Sequence, residues 1–340
     1  MLDQNQLQIY LLEEIIKKFE KRADAVESLC DALNLAKDGI YRRLRGQSVV
    51  TPDEMLLLAR KYNISLDRFI FDKTTSVVWT FNAITRHVKQ FEDYIEGIVE
   101  DSGAMLGLPD AEVWYGTSEI PFFYYIVFPE IISFKLYVWG KTLWKFDYLQ
   151  NRKYSLDIVP HHALEMAQKA HYNYRMLPST ELWSLSIMDN TLNQIEYHSI
   201  SDGFENPEDA LLLCDKMTEL ANHMEKMALH GRKFAYGQDP ELGNGAAFNL
   251  YYNEMIYTNN TIYVKSPKIR LVFAVHANPN FLRTQDERIS DYTEDWFSSI
   301  RNRSTLISKQ NEKARKWFFD RLRKRIDGIR TRIKIHLESD

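Results

Sequence analysis

The sequence predicts a fold that is mainly α with a smaller α+β part. Three observations carry this. In residues 6–71 apolar side chains recur at three-to-four spacing in short blocks separated by cap and turn residues. Residues 84–236 continue the same period in longer blocks, and after the turn-rich GQDPELGNG of 237–245 the pattern changes to short β-branched and aromatic runs. The predicted organisation is an N-terminal five-helix domain over 1–72 and a second region over 77–340, helical over 77–236 and α+β over 246–340. The polar DKTTS of 72–76 is the boundary.

Composition narrows the function classes. The chain has 340 residues, 45% hydrophobic and 26% charged, enough for two or three cores. A formal net charge of −4 excludes a bulk polycation, so any contact with nucleic acid must come from a local patch. Cys30 and Cys214 stand far apart without metal-ligand spacing, which suggests neither a disulfide framework nor a zinc site. Acidic residues run through the first apolar stretch and no secretory signal is read there, so a cytoplasmic protein is expected. The longest apolar run, 120–140, is interrupted by Pro129, Glu130 and Lys135 and is expected to form a buried helix pair, not a membrane span.

Taken in order, Leu7, Tyr10, Leu11, Ile15 and Phe19 give the first helix one apolar stripe. Asp24 can cap a second helix in which Val26, Leu29, Cys30 and Leu33 share a face. Asn34 then occupies a tight turn that favours left-handed backbone, which Asn tolerates better than most residues. In the third helix, Ile40 and Leu44 face inward with Leu33 and Leu35. That leaves Lys37, Asp38, Gly39, Tyr41, Arg42 and Arg45 outward, with Arg43 in the same cationic cluster. A merely solvated face would intersperse acids among these bases, and only Asp38 is present. Gly46 closes the helix. Thr51-Pro52-Asp53-Glu54 opens a fourth with a capping box and proline in its first turn. Met55, Leu58, Ala59 and Tyr62 give it an inner stripe, and Ser65 caps a last short turn carrying Leu66, Phe69 and Ile70.

The spaced set Leu33-Asn34-Leu35, Ile40, Gly46, Leu58-Ala59 and Ser65-Leu66-Asp67 resembles the lambda-repressor-like, or Xre/Cro-type, helix-turn-helix domain. The resemblance covers about a fifth of the chain. It implies a bacterial transcription regulator whose third helix enters the major groove of double-stranded DNA, with Lys37, Asp38, Gly39, Tyr41, Arg42, Arg43 and Arg45 as the DNA-binding set. Ala36, Asp38 and Gly39 depart from the small polar residues usual at these places in the family, which leaves the base contacts open. The alternative is a helical adaptor without specific DNA binding.

Beyond the boundary, residues 77–81 suit a strand and 84–105 a long helix. Aromatic residues crowd 122–144, with Pro129 ending or kinking a helix there. Core, ligand pocket and dimer interface are all open readings of that segment. Residues 156–174, 179–197 and 207–230 read as further helices. Runs at 247–256, 261–264 and 270–275 read as antiparallel strands, with Asn259-Asn260 a hairpin turn between the first two. Residues 284–300 and 309–336 read as late helices, with a short strand at 305–307 between them.

No enzyme signature, phosphate loop or cofactor site is read, and no metal set either: His161, His162, His171 and Glu165 lack a completing partner and are expected at the surface. The last helix is amphipathic and strongly basic, so packed helix and docking surface are both open. A homodimer is expected, because one head reads only a few base pairs, and its contact is placed after Ser76 on the helix at 84–105 or the aromatic segment at 122–144. Such a dimer could respond to a small-molecule effector bound in the C-terminal region.

Overall fold

A computed structural model describes residues 4–19, 21–62, 64, 66, 76–81, 87–254 and 260–339. It divides into two compact units, residues 1–78 and 79–340.

The first unit packs α1 (Gln4–Ile16), α2 (Arg22–Leu33), α3 (Lys37–Leu44) and α4 (Pro52–Lys61) around Leu11, Leu12, Ile15, Val26, Leu29, Ile40 and Leu58. The expected fifth turn around Phe69 and Ile70 lies outside the described residues. Local chemistry sets each junction. Asn34 is left-handed at φ 51°, and its N–H donates to the Cys30 carbonyl, as does that of Leu35. Gly46 follows α3 at φ 71°. The Thr51 side chain accepts from the Glu54 N–H while the Glu54 carboxylate accepts from the Thr51 N–H, with Pro52 in the first turn.

The second unit is built on one eight-stranded mixed sheet. Its strands are β1 (Thr80–Phe81), β2 (Glu112–Gly116), β3 (Ser179–Trp183), β4 (Phe248–Tyr252), β5 (Thr261–Lys265), β6 (Arg270–Val275), β7 (Phe281–Thr284) and β8 (Thr305–Leu306), in the order β1-β7-β6-β5-β2-β3-β4-β8. The pairs β2–β3 and β3–β4 are parallel and the rest antiparallel. Parallel neighbours need long crossovers. Here α6 (Phe122–Tyr125), α7 (Pro129–Thr142) and α8 (His161–Arg175) join β2 to β3, and α9 (Asp189–Ile200) and α10 (Asp209–His230) join β3 to β4.

These strands correct the predicted layout. The middle region is not purely helical, because Ser179–Trp183 is a strand and only Asp189–Ile200 of the expected helix at 179–197 and beyond is helical. All five residues of β3 are buried, so no polar alternation marks it as a strand. The C-terminal strands are not a separate antiparallel sheet. β4 and β5 are not the hairpin partners expected on either side of Asn259-Asn260, since β2 and β3 lie between them.

One sheet face, through Trp114, Leu182, Tyr263 and Val272, packs on Phe297 and Ile300 of α11 (Glu287–Asn302). The other, through Val113, Tyr115, Ile262, Val264, Phe248 and Leu250, belongs to the main core. That core also takes in α5 (Phe91–Leu106), α7, α10 and α12 (Glu312–Ser339). Residues 131–140 of α7 are buried on every side, as an all-round apolar helix requires. The aromatic segment is therefore mostly interior, while Pro129 at the start of α7 is exposed. Among the described residues no helix is long and apolar enough to cross a membrane.

Candidate nucleic-acid interface and an aromatic pocket

The face of α3 follows from the placement of Ile40 and Leu44 in the core. With those two inward, Lys37, Asp38, Tyr41, Arg42 and Arg45 stand exposed and Gly39 is half-exposed. Lys37, Arg42 and Arg45 enter no ion pair among the described residues, so the face keeps its positive charge. A Cβ built on Gly39 would meet Leu35 at an ordinary 3.6 Å, so packing does not demand glycine there, although it weakens the helix by about 1 kcal/mol relative to alanine.

Arg43 does not belong to this face. It is buried, and its guanidinium donates to Glu54 Oε1 at 2.9 Å. Burial raises Glu54, but the Thr51 backbone and Arg43 outweigh it and hold the carboxyl below its usual range. Residues 40, 43 and 44 occupy one side of the helix at i, i+3 and i+4, so this inward position was readable from spacing. Gln8, which the sequence did not single out, is 1% exposed and fixes the end of α3. Its Nε2 donates to the carbonyls of Arg43 at 3.1 Å and Ser48 at 2.9 Å, and its Oε1 accepts from the Val50 N–H at 2.9 Å. One side chain thus ties α1 to the α3–α4 loop, which sets the orientation of the exposed face.

The head also presents apolar side chains to solvent. Val49, Leu56 and Leu57 are exposed at 66%, 49% and 45%. The aromatic segment expected to carry a dimer contact is instead consumed by the core of the second unit, and α5 packs along α8.

The expected histidine group disperses. His162 meets Glu92 at 2.6 Å and His161 meets Glu165 at 3.4 Å, both on the surface. His171 is half-buried: its Nδ1 lies 2.9 Å from the Phe123 carbonyl, and burial pushes it down to about 4. Among the described residues no three His, Cys, Asp or Glu side chains gather as a metal site would need.

Two buried polar knots brace the second unit. Lys135, fully buried on α7, lies 2.5 Å from Glu119 Oε1 and 2.9 Å from Gln194 Oε1, while Asn278 donates to Glu119 Oε2 at 2.9 Å. Burial alone would raise Glu119, but the Lys135 charge holds it below the usual range. Glu181 of β3 accepts from the hydroxyls of Tyr124, Tyr174 and Ser179 and from the Trp183 indole, at 2.6 to 3.1 Å. Each carboxylate oxygen is engaged, so these groups tie elements together and offer no free acid or base.

Beside the second knot lies a cavity of about 110 Å³ between α5, α6 and the sheet. Tyr94, Tyr115, Phe122, Phe123, Phe273 and Phe281 are among its walls. It places part of the aromatic segment against a concave space, the geometry that small apolar ligands use. Comparison with protein-family models, with curated proteins and with solved structures finds no match to this chain.

Proposed function

We propose that this chain is a sequence-specific, DNA-binding transcription regulator that reads duplex DNA with α3 and acts as a homodimer, its second unit serving as the regulatory part. The observation that carries the reading is the exposed face of α3. Lys37, Tyr41, Arg42 and Arg45 stand together on a helix set off by a left-handed turn at Asn34, and the three cations are left without acidic partners among the described residues. Arginine can bond the O6 and N7 of guanine in a fork, lysine and tyrosine suit phosphates, and both together give register and sequence preference. An eight-residue helix reaches few base pairs, so specificity calls for two heads on half-sites about one DNA turn apart.

The test is selection of duplexes from a random pool by the full chain, with retention followed against salt. The reading expects an enriched sequence with two half-sites and a steep loss of binding as salt rises, because each neutralised phosphate releases counterions. Weak retention that ignores sequence and salt would overturn it. That outcome would favour a helical adaptor, for which exposed Val49, Leu56 and Leu57 already offer an apolar contact.

A further inference from the structure

We infer that the aromatic cavity of the second unit binds a small organic carboxylate with an apolar body, a single aromatic ring or a short acyl chain, anchored by Arg283. This names the ligand class of the regulatory part proposed above. It rests on that reading only for its link to DNA.

The strand register builds the site. Tyr115 on β2 pairs with Ile262 on β5, Ile262 with Phe273 on β6, and Phe273 with Arg283 on β7. Directly paired residues project to the same face of a sheet, so these four form one row across four strands, and all four line the cavity. Strands lie about 4.8 Å apart, which sets the ends of the row about 14 Å apart at the backbone. Tyr115 is the buried end, at 4% exposure, and Arg283 the half-exposed end. The cavity therefore has an apolar interior and one guanidinium at its margin, with Asp93 and Asp101 also in its lining.

An inventory of its polar groups shows what is left to bind. Asp93 spends its carboxylate on the N–H groups of Lys89 and Gln90 at the start of α5. Asp101 has a partner of its own. The Ser102 hydroxyl donates to the Val99 carbonyl and the Asn280 amide to that of Ala277. Arg283, Tyr94 and Tyr115 remain, and their side chains make no hydrogen bond or ion pair among the described residues. Both phenols are at least nine-tenths buried, and burial pushes both well above the usual tyrosine range, so they stay neutral donors. A guanidinium has only donors and suits a carboxylate fork to fork. The two hydroxyls are available to an acceptor on the ligand body. A buried polar group left without a partner is costly, so the two buried phenols, with the half-exposed guanidinium at the edge of the same apolar space, mark a site that a ligand completes. Size limits the body: an apolar cavity of about 150 Å³ admits a benzene ring, and this one is somewhat smaller at about 110 Å³.

Calorimetric titration of the full chain, without DNA, tests the inference with benzoate, 4-hydroxybenzoate and hexanoate against benzyl alcohol, hexanol and benzylamine. The carboxylates should bind roughly tenfold or more tightly than the matched alcohols, with benzylamine weakest. Arg283→Gln should erase the preference for the acids. Tyr115→Phe should remove any advantage of 4-hydroxybenzoate over benzoate. Ile98→Trp, which fills the cavity, should abolish binding of all six, with an unchanged thermal transition showing that it folds. Equal binding of acids, alcohols and amine, no binding of any acid at millimolar concentration, or an acid preference that survives Arg283→Gln would each overturn the assignment. Because no DNA is present, its failure is distinct from failure of the DNA-binding reading.

Discussion

Two basic helices, α3 and α12, are alike in composition and differ in how most of their arginines are held. On α12, Arg323 meets Glu225, Arg325 meets Asp189, Arg330 meets Asp215 and Arg332 meets Glu196, while Arg315 is buried against the carbonyls of Ile307 and Gln310. The acids stand on α9 and α10, 98 to 136 residues earlier, so the charge of these four arginines is spent inside their own unit, while Lys313, Arg321 and Lys324 of α12 stand exposed without an ion pair among the described residues. On α3 only Arg43 turns inward to an acid, and Lys37, Arg42 and Arg45 keep theirs. Counting arginines in a sequence does not separate these cases. What separates them is whether folding brings carboxylates to the same face.

The two units also differ in their response to acid, and this is the largest effect expected. All nine histidines follow residue 78. Burial pushes His171, His198 and His223 down to about 4 from an ordinary 6.5. Folded, they stay neutral where the unfolded chain would take up protons. Their contribution is therefore complete above pH 6.5 and is lost as pH falls toward 4. The slope is up to about 1.4 kcal/mol per pH unit for each. The head has no histidine, and the lowered Glu54 loses its contribution only below pH 4.5. All seven tryptophans lie at or beyond position 79, so their emission follows the second unit alone. Denaturation at pH 7 and pH 5 should shift that signal strongly and leave amide exchange in α2 to α4 nearly unchanged. A tryptophan transition that ignores pH over this range would contradict the assignment of neutral buried imidazoles.

The next largest effect separates buried pairs from surface pairs. Lys135→Met strands Glu119 in the core and should cost about 3–5 kcal/mol, whereas adding Glu119→Gln should recover much of it because the uncompensated charge is gone. Denaturant midpoints measure both. A double variant no more stable than the single would show that the pair's worth is not electrostatic.

The sequence was most legible where structure is local. Asn34, Gly46 and the Thr51–Glu54 box act within a few residues of themselves, and each stands where its chemistry places it. The sheet was hidden because its centre is non-local and fully buried. The residues of β3 show no alternation, and Glu181 within it is satisfied by Tyr124, far earlier in the chain, as well as by nearby Tyr174. His171 was misplaced for the same reason, since its partner is a carbonyl 48 residues away. Of the candidate DNA face, Lys37, Asp38, Tyr41, Arg42 and Arg45 lie together and exposed, and Arg43 was misread although its helical spacing to Ile40 marked it as inward. The cavity row could not be read at all, because strand order brings Tyr115 and Arg283 onto one face only after β5 and β6 are inserted between them.

The contrast between the two basic helices gives the most direct test. On a duplex selected by the full chain, affinity is measured for Arg42→Ala and Arg45→Ala on α3 and for Arg330→Ala and Arg332→Ala on α12. Each α3 variant should lose roughly 5- to 150-fold in affinity, the worth of about 1–3 kcal/mol for a base-reading arginine. The α12 variants should bind as the unaltered chain does, with stability changed by at most about 1 kcal/mol, as for exposed ion pairs. Loss of binding on α12 with none on α3 would place the DNA contact on the wrong helix and contradict the account.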